Sequence, residues 1–492
     1  GEVAWSDELI GRLDAALEKL GIRDDTLLVL TSDHGEGLGE HGERLHGFFV
    51  YQSTLAVPLL FRGPGVAPGA RLSVTARTVD LFPTILDLLG VSAPAGIQLS
   101  GRSLAEALRG RDELSEETSY AESLVPLLHF GWSDLRSLRK GRWKYIEAPR
   151  PELYDLQHDP GETRNLMKSE SLRAEPLRSG LALFLEEEQV MSGSASGEGP
   201  GSGGVPRDLV EKLGALGYVG AGASAPKSPG ADPKDKIEEF RVANRLIREG
   251  LTLLQEKDFA ASIERFEELL RHQIESFEVH YYLGRGLLAS KRYQEAAVHF
   301  ESAIKRQPNY PAAYEALAEC RASTDDLPGA VAALQEGQLA NPGDAGLLKR
   351  EARLWRLLKN SQEARRAYEA ALPLAPDDAL LRMQLGELLR DLGELEQSVR
   401  LLQEAVELDP ERASFWNSLG MVLGGRDQLA EAEKAFREAR KRDESNAQYS
   451  YNLGLALLRQ GRTEDARRFF QITLQLDPRF EAARLRLAGM GS

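Results

Sequence analysis

Hydrophobic and polar positions divide the chain into a mixed region and a helical one. Near the start, Leu9, Ile10, Leu13, Ala16, Leu17 and Leu20 recur at helical spacing, which predicts an amphipathic helix that Gly21 stops. Thr26-Leu-Leu-Val-Leu-Thr-Ser32 is apolar without alternation. That predicts a strand covered on both faces, as in a parallel sheet. Residues 135–139 and 142–146 predict a hairpin turned at Lys140-Gly141, and residues 153–156 predict a further strand. Residues 191–235 hold Ser192-Gly-Ser-Ala-Ser-Gly197 and similar stretches, a linker composition, around one short amphipathic helix at 207–218. From residue 236 the pattern is helical with little interruption.

That helical part repeats. Pro308, Pro342, Pro376, Pro410 and Pro478 fall on one 34-residue lattice, with Glu444 in the only gap. Eight places into each repeat stands a small residue: Gly250, Gly284, Ala318, Ala352, Gly386, Gly420 and Gly454. The twentieth place carries Ser262, Ala296, Ala330, Ala364, Ser398, Ala432 and Ala466. The twenty-fourth carries Phe266, Phe300, Leu334, Tyr368, Leu402, Phe436 and Phe470. A helix hairpin needs small residues where its helices cross and a bulky one beside them, and proline ends the second helix. The register resembles the tetratricopeptide repeat, with about seven copies over 243–480 and a closing helix after them. Stacked hairpins present a groove, so a protein or peptide partner is expected there. Met383, Glu387, Asn417, Met421 and Tyr451 are placed to face it, without a simple charge code.

Composition narrows the possibilities. At 492 residues the chain exceeds one core, and length alone argues for roughly three domains. A 42% hydrophobic and 28% charged balance excludes wholesale disorder. The net charge of −15 argues against a nucleic-acid partner, whose footprint would be basic. No apolar run reaches the ~18 residues of a membrane span. The single cysteine, Cys320, excludes an internal disulfide framework and a multi-cysteine zinc site.

The chemistry lies after the first strand. Asp33-His34-Gly35-Glu36 follows directly, where α/β sheets bind ligands beyond strand ends. Carboxylate and imidazole together suit a divalent metal. Of eight histidines, His34, His41 and His46 fall within one glycine-rich stretch, the kind of cluster that does metal or phosphate-like chemistry. The plainer reading of the same residues is an aspartate capping a turn and histidines in a surface loop.

Thr31-Ser-Asp-His-Gly-Glu36, Gly39-Glu-His-Gly-Glu43, His46-Gly-Phe-Phe-Val-Tyr51 and Val57-Pro-Leu-Leu-Phe-Arg-Gly-Pro-Gly65 occur in order. Val79-Asp-Leu-Phe-Pro-Thr84, Ser100-Gly-Arg-Ser-Leu104, Arg142-Trp-Lys-Tyr-Ile146 and Glu152-Leu-Tyr-Asp155 through Asn165-Leu166 continue the series. The set resembles the carboxyl half of a sulfatase-type hydrolase of the alkaline phosphatase superfamily, over residues 1–190. Joined to repeats, it looks like a bacterial sulfatase-repeat protein. The resemblance implies a multidomain chain. A partial alkaline-phosphatase-like α/β sheet with a small antiparallel subdomain (1–190) precedes the linker (191–235) and an all-α solenoid (236–492). It implies that Asp33 and His34 are ligands of one divalent metal. Calcium is usual in sulfatases, but His34 stands where many of them carry Asn, which favours Mn or Zn. His46 falls near the family's Lys or His that contacts the ester or leaving-group oxygen. His41 reads as a loop residue and Asp80 as a helix cap.

The family's nucleophile, a formylglycine made in a Cys-x-Pro/Ala-x-Arg signature, has no counterpart in this sequence. Cys320-Arg-Ala-Ser-Thr324 lacks the final Arg and lies in a repeat. The expectation is therefore a domain entered at Gly1 without its first half and inactive alone, its substrate in the intact protein a sulfate or phosphate ester. Two rivals follow: a phosphodiesterase, phosphonate hydrolase or phospho-group transferase of the same superfamily, or a non-catalytic repeat scaffold. Resemblance to exported sulfatases implies a periplasmic or other extracytoplasmic home.

Overall fold

The computed structural model describes residues 2–93, 99–111, 114–194 and 230–490. The short helix expected at 207–218 lies outside them. The chain divides into two compact units, Gly1–Arg248 with Leu269–Ser276, and Glu249–Glu268 with Phe277–Ser492.

In the first unit, helix α1 (Glu2–Lys19) forms as its periodicity predicts, yet Leu9 and Leu13 on its apolar face, and Leu20 just after it, stay exposed. Strand β1 (Leu28–Thr31) ends directly before Ser32-Asp33-His34. Helix α2 (Gln52–Leu55) precedes β2 (Leu59–Arg62), and β2 pairs with β1 antiparallel, Leu28 opposite Arg62 and Thr31 opposite Leu59. This corrects the expectation of a buried strand in a parallel sheet. The sheet has two strands among the described residues, β1 is half-buried, and Leu60 is 58% exposed. An apolar run states how much cover a strand can use, and leaves the direction of its neighbour open. Here the intervening loop brings β2 back in the opposite sense.

Helices α3 (Leu81–Leu89) and α4 (Ala105–Leu108) are tied together around Asp80. Asp80 is fully buried, and its carboxylate accepts from Arg77 N at 3.0 Å, Arg77 Nη2 at 2.8 Å and Arg102 N at 3.0 Å. It was expected to cap α3, but its side chain makes no capping bond to that helix. Asp80 instead joins the helix start to Ser100-Gly-Arg-Ser103, where a Cβ on Gly101 would collide with the Val79 carbonyl. Burial pushes the Asp80 carboxyl up, but the Arg77 guanidinium and the two amides outweigh it and hold it below the usual value.

The second sheet runs β3 (Thr118–Ser123), β4 (Leu135–Lys140), β5 (Trp143–Glu147) and β6 (Glu152–Asp155), each antiparallel to the next, with α5 (Val125–Phe130) between β3 and β4. It is the small antiparallel sheet expected from the hairpin pattern. Lys140 pairs with Trp143, so the turn residues are Gly141-Arg142, one place later than expected. Gly141 takes φ +57°, which a two-residue hairpin accepts most easily from glycine. Helix α6 (Ser171–Ser194) lays Ala174, Leu177 and Leu181 on Leu138, Tyr145 and Leu153 of this sheet.

The second unit is all helix. Hairpins Phe277–Ala289/Tyr293–Arg306, Pro311–Ser323/Leu327–Ala340, Ala345–Leu357/Ser361–Ala371, Ala379–Asp391/Leu395–Leu408, Ala413–Gly425/Leu429–Arg442 and Ala447–Arg459/Thr463–Leu476 succeed one another, closed by Glu481–Gly489. An earlier pair, Ile237–Gln255 and Phe259–Arg271, begins the series, with Ile237 to Arg248 grouped in the first unit. The repeat register has the packing meaning assigned to it. A Cβ on Gly250, Gly420 or Gly454 would come within 2.7 Å of the ring of Phe266, Phe436 or Phe470. Where the twentieth place is serine, its hydroxyl donates to the eighth-place carbonyl: Ser262 to Gly250 at 2.8 Å and Ser398 to Gly386 at 2.6 Å. Cys320 is a buried helix residue whose thiol is pushed up to about 12 by desolvation, which fits packing and no reactive role.

Candidate functional site

The loop after β1 carries the site, and the backbone packing around it explains its glycines. Gly35 N donates to Thr54 O at 2.8 Å, and a Cβ on Gly35 would collide with the Ser53 carbonyl. Gly37 N donates to Leu45 O at 2.8 Å, and a Cβ there would sit 2.9 Å from the carbonyls of Glu43 and Leu45. The loop therefore doubles back on itself, bringing residue 46 beside residue 34.

His34 and His46 stack, ring centroids 3.8 Å apart at 27°. His46 Nδ1 lies 3.0 Å from Glu36 Oε2, and His34 Nδ1 lies 2.9 Å from Gly35 O. Donor atoms of His34, Glu36 and His46 all fall within 4.8 Å of one another. Asp33 stands outside that trio with its side chain 79% exposed, but its Oδ2 is 3.5 Å from His34 Nε2. Its carboxyl is held below the usual value by the His34 amide, against slight desolvation. The structure thus brings His34 and His46 together, keeps Asp33 beside His34 only, and adds Glu36. His41 belongs to the scaffold: it stacks on Tyr51 at 3.6 Å and its Nε2 meets Gly161 O at 3.1 Å.

Three devices fix the segment that bears His46. Phe48, Phe49, Val50 and Tyr51 are buried against Trp132, Leu135, Ile146, Tyr154 and Phe240, so the residues after His46 form part of the core. Glu43, 2% exposed, accepts from Phe48 N at 2.9 Å and Phe49 N at 3.2 Å. Desolvation pushes the Glu43 carboxyl up to about 7, with the two amides opposing and Glu36 adding a smaller push. The third device is a buried ion pair. Lys144 Nζ donates to Val50 O and to Glu162 Oε1, each at 2.6 Å, and Glu162 Oε2 accepts from Gln52 N at 2.5 Å. Both side chains are 1% exposed. Burial pulls the Lys144 ammonium down and Glu162 opposes it.

Glu36, Glu43 and the Lys144–Glu162 pair were not singled out from the sequence. Lys144 could have been found: a lone charge inside the apolar strand Trp143-Lys-Tyr-Ile146 demands a buried partner. Glu36 gave no such signal, because it is one acid among several in a polar loop.

In the second unit, Glu387 accepts from Ser418 Oγ at 2.8 Å, and Asn417 Oδ1 accepts from Asn452 Nδ2 at 2.8 Å. Tyr451 leans on Phe470 and Phe480, and Met383 packs on the same cluster. Met421 is 41% exposed and borders a hollow of about 370 Å³ with Asn452, Leu455, Leu458 and Arg459. No described helix is long and apolar enough to cross a membrane.

The chain joins a sulfatase-type segment at its amino-terminal end to tetratricopeptide repeats. Residues 1–91 match the sulfatase family, and residues 247–311, 287–353, 358–421 and 418–479 match tetratricopeptide repeat families. Among similar proteins are arylsulfatase K of Homo sapiens, 34% identical over 179 residues (33% of this chain, 32% of that protein), and choline-sulfatase of Rhizobium meliloti (strain 1021), 36% identical over 177 residues (34% and 32%). The chain spans about a third of the length of the curated relatives it matches. Among solved structures, the tetratricopeptide protein YrrB, described as having an unusual peptide-binding site, is 23% identical, covering 38% of this chain and 97% of its own, with a TM-score of 0.35.

Proposed function

We propose that the first unit supplies the metal and leaving-group side of a sulfuric ester hydrolase, and that the repeats bind a protein or peptide partner. The observation that carries the reading is the meeting of His34 and His46 on a pinned loop directly after β1, beside Asp33. Asp33 Oδ2 and His34 Nε2, 3.5 Å apart, can share one divalent cation. A mixed oxygen and nitrogen set suits Mn or Zn better than Ca. Such a cation would supply Lewis-acid polarisation of the ester oxygens. His46 contacts the leaving-group oxygen, and the Glu43 and Lys144–Glu162 clamps hold its backbone while that oxygen departs. The likeness to arylsulfatase K and choline-sulfatase supports sulfate as the ester. The sequence holds no Cys-x-Pro/Ala-x-Arg signature, so this chain alone is expected to bind an aryl sulfate without hydrolysing it.

His34 in place of asparagine supports a second reading, a phosphodiester or phosphonate hydrolase of the same superfamily. The test is calorimetric binding of an aryl sulfate and an aryl phosphate to the full chain, with and without Mn or Zn. Metal-dependent binding of the sulfate, lost in Asp33→Ala and His46→Ala, is expected. Preference for the phosphate selects the second reading, and no metal-dependent binding of either overturns both. Turnover by the wild-type chain that disappears in Asp33→Ala overturns the expected inactivity. Capture of one defined partner by the full chain, weakened by Met421→Glu, supports the role given to the repeats.

A further inference from the structure

We propose that His280 and His299, in the second unit, form a two-imidazole site for a borderline divalent cation such as Zn or Cu. His280 sits on helix Phe277–Ala289 and His299 on helix Tyr293–Arg306. Their Nδ1 atoms converge to 3.0 Å, with the ring centroids 5.3 Å apart at 29°. Two ligand nitrogens on one tetrahedral zinc lie about 3.3 Å apart, given Zn–N bonds of about 2.0–2.1 Å. The two rings therefore need to part by only about 0.3 Å to admit a cation. Imidazole nitrogen suits Zn, Cu and Ni, whereas Ca and Mg require oxygen.

The repeat register does not ask for this pair. The histidines stand at the fourth and twenty-third places, and no other repeat carries histidine at either; the fourth place is otherwise Leu246, Tyr314, Leu348, Arg382, Trp416 and Ser450. Packing of this hairpin is carried elsewhere, where a Cβ on Gly284 would come within 2.9 Å of the Phe300 ring. The surroundings favour positive charge at the pair. The carboxylates of Glu267 and Glu295 both lie within charge reach of His299. Glu295 precedes His299 by four residues on the same helix, which puts the two on one face. Arg292 already holds both oxygens of Glu295 at 2.7 Å. That leaves Glu267, which lines a hollow of about 410 Å³ with Glu264 and Arg292, to supply an oxygen or hold a water on the cation. The opposing charges are engaged, Arg292 by Glu295 and Arg306 by Ser302 O at 3.0 Å. His280 is 7% exposed and His299 half-buried, so a cation reaches the pair from the His299 side and ties one helix of the hairpin to the other.

The plainer account of the same atoms is a hydrogen bond from one Nδ1 to the other, and the experiment separates the two. Zn, and separately Ca, is titrated by calorimetry into the full chain at about pH 8, where free imidazole is neutral. The parent carries His34→Ala, which removes a ligand proposed for the first unit. Expected are Zn binding by the parent, much weaker binding of Ca, and an affinity for Zn at least about tenfold lower in His299→Gln and in His280→Gln, since losing even an outer partner of a metal site costs that much. Should His280→Gln fail to fold, the half-buried His299 carries the comparison. Cu(II) added to the parent should give a paramagnetic resonance spectrum split by two imidazole nitrogens, and by one fewer in His299→Gln. Zn should also raise the thermal midpoint of the parent and leave that of His299→Gln in place. A Zn affinity that His299→Gln changes by less than about threefold overturns the site and leaves a hydrogen-bonded pair only. A copper spectrum with the same nitrogens in both chains overturns it too, and Ca bound as tightly as Zn overturns the class of metal assigned.

Discussion

Replacing Lys144 by methionine should loosen the segment that carries His46 more than any surface change near it. Lys144 and Glu162 are each 1% exposed, and Nζ makes two bonds of 2.6 Å, one to Val50 O and one to the carboxylate. Glu162 in turn holds Gln52 N at 2.5 Å, so the pair spans the backbone on both sides of Tyr51. Methionine nearly matches lysine in length and opens no large cavity, so the cost is electrostatic. A hydrogen bond to a charged group contributes about 1.5–3 kcal/mol, and breaking one side of a buried pair costs about 3–5 kcal/mol because the other charge stays behind. We expect about 4 kcal/mol for Lys144→Met. Lys144→Met with Glu162→Gln strands no charge and should cost only about 1–2 kcal/mol, which implies a coupling of at least ~2 kcal/mol. Urea unfolding followed by tryptophan fluorescence reads the global change, and hydrogen exchange of a peptide over residues 43–55 reads the local one. A loss of 4 kcal/mol corresponds to exchange faster by roughly 10³-fold if that segment opens with the unit. A single substitution costing under about 1 kcal/mol, or a double substitution no better than the single, refutes the reasoning from stranded charge.

Two predictions concern the solenoid. Burial, with Arg306 and His299 adding to it, pushes His280 down to about 4 from 6.5, and its Nδ1 lies 3.0 Å from His299 Nδ1. The fold therefore holds His280 neutral while the unfolded chain takes up a proton below about 6.5. This contribution is complete above pH 6.5 and is lost as pH falls toward 4, by roughly 1–2 kcal/mol after discounting the ~1.4 kcal/mol per unit for partial solvation. Urea midpoints at pH 7.5 and 4.5 should show a loss in the wild type that is smaller in His280→Gln, the remainder including His299, which burial also holds down; an equal loss in both counts against the assignment. Gly420→Val places its Cβ 2.7 Å from the Phe436 ring and should cost about 1–3 kcal/mol by overpacking, whereas Gly425→Ala has nothing within 4 Å and should gain up to about 1 kcal/mol of helix propensity. Thermal melts of the full chain compare the two; equal shifts would mean that helix propensity, not packing, governs these positions.

How far the sequence spoke for the structure depended on whether the relevant interaction had a period. The solenoid was legible because one pairing, a small eighth-place residue with a bulky twenty-fourth-place side chain, recurs every 34 residues, and repetition turns a weak local preference into a register. The β4–β5 hairpin was legible for a similar local reason, although the turn fell one residue later because Lys140 and Trp143 pair. The direction of β2 against β1 was not, since apolar continuity in residues 27–30 fits either sense of pairing. In the site, the motif series located Asp33, His34 and His46 but not what holds them. Glu36, Glu43 and Glu162 look alike as sequence, three acids in polar loops, and become different only through partners at 10, 5 or 18 residues' distance. Glu43 makes the point in energetic terms. An exposed glutamate at that place would be an ordinary carboxylate, yet with water removed it is pushed up to about 7 although two amides folded over it pull the other way. Such a shift is created by the fold and then acts back on it. Between about 4.5 and 7 the folded loop takes up a proton that the unfolded chain does not, so Glu43 contributes less stability as pH rises through that window. The chemistry of this loop is therefore written in which carboxylate faces which donor, and that choice is made by the chain's return at Gly35 and Gly37, where only a residue without a side chain lets the backbone close.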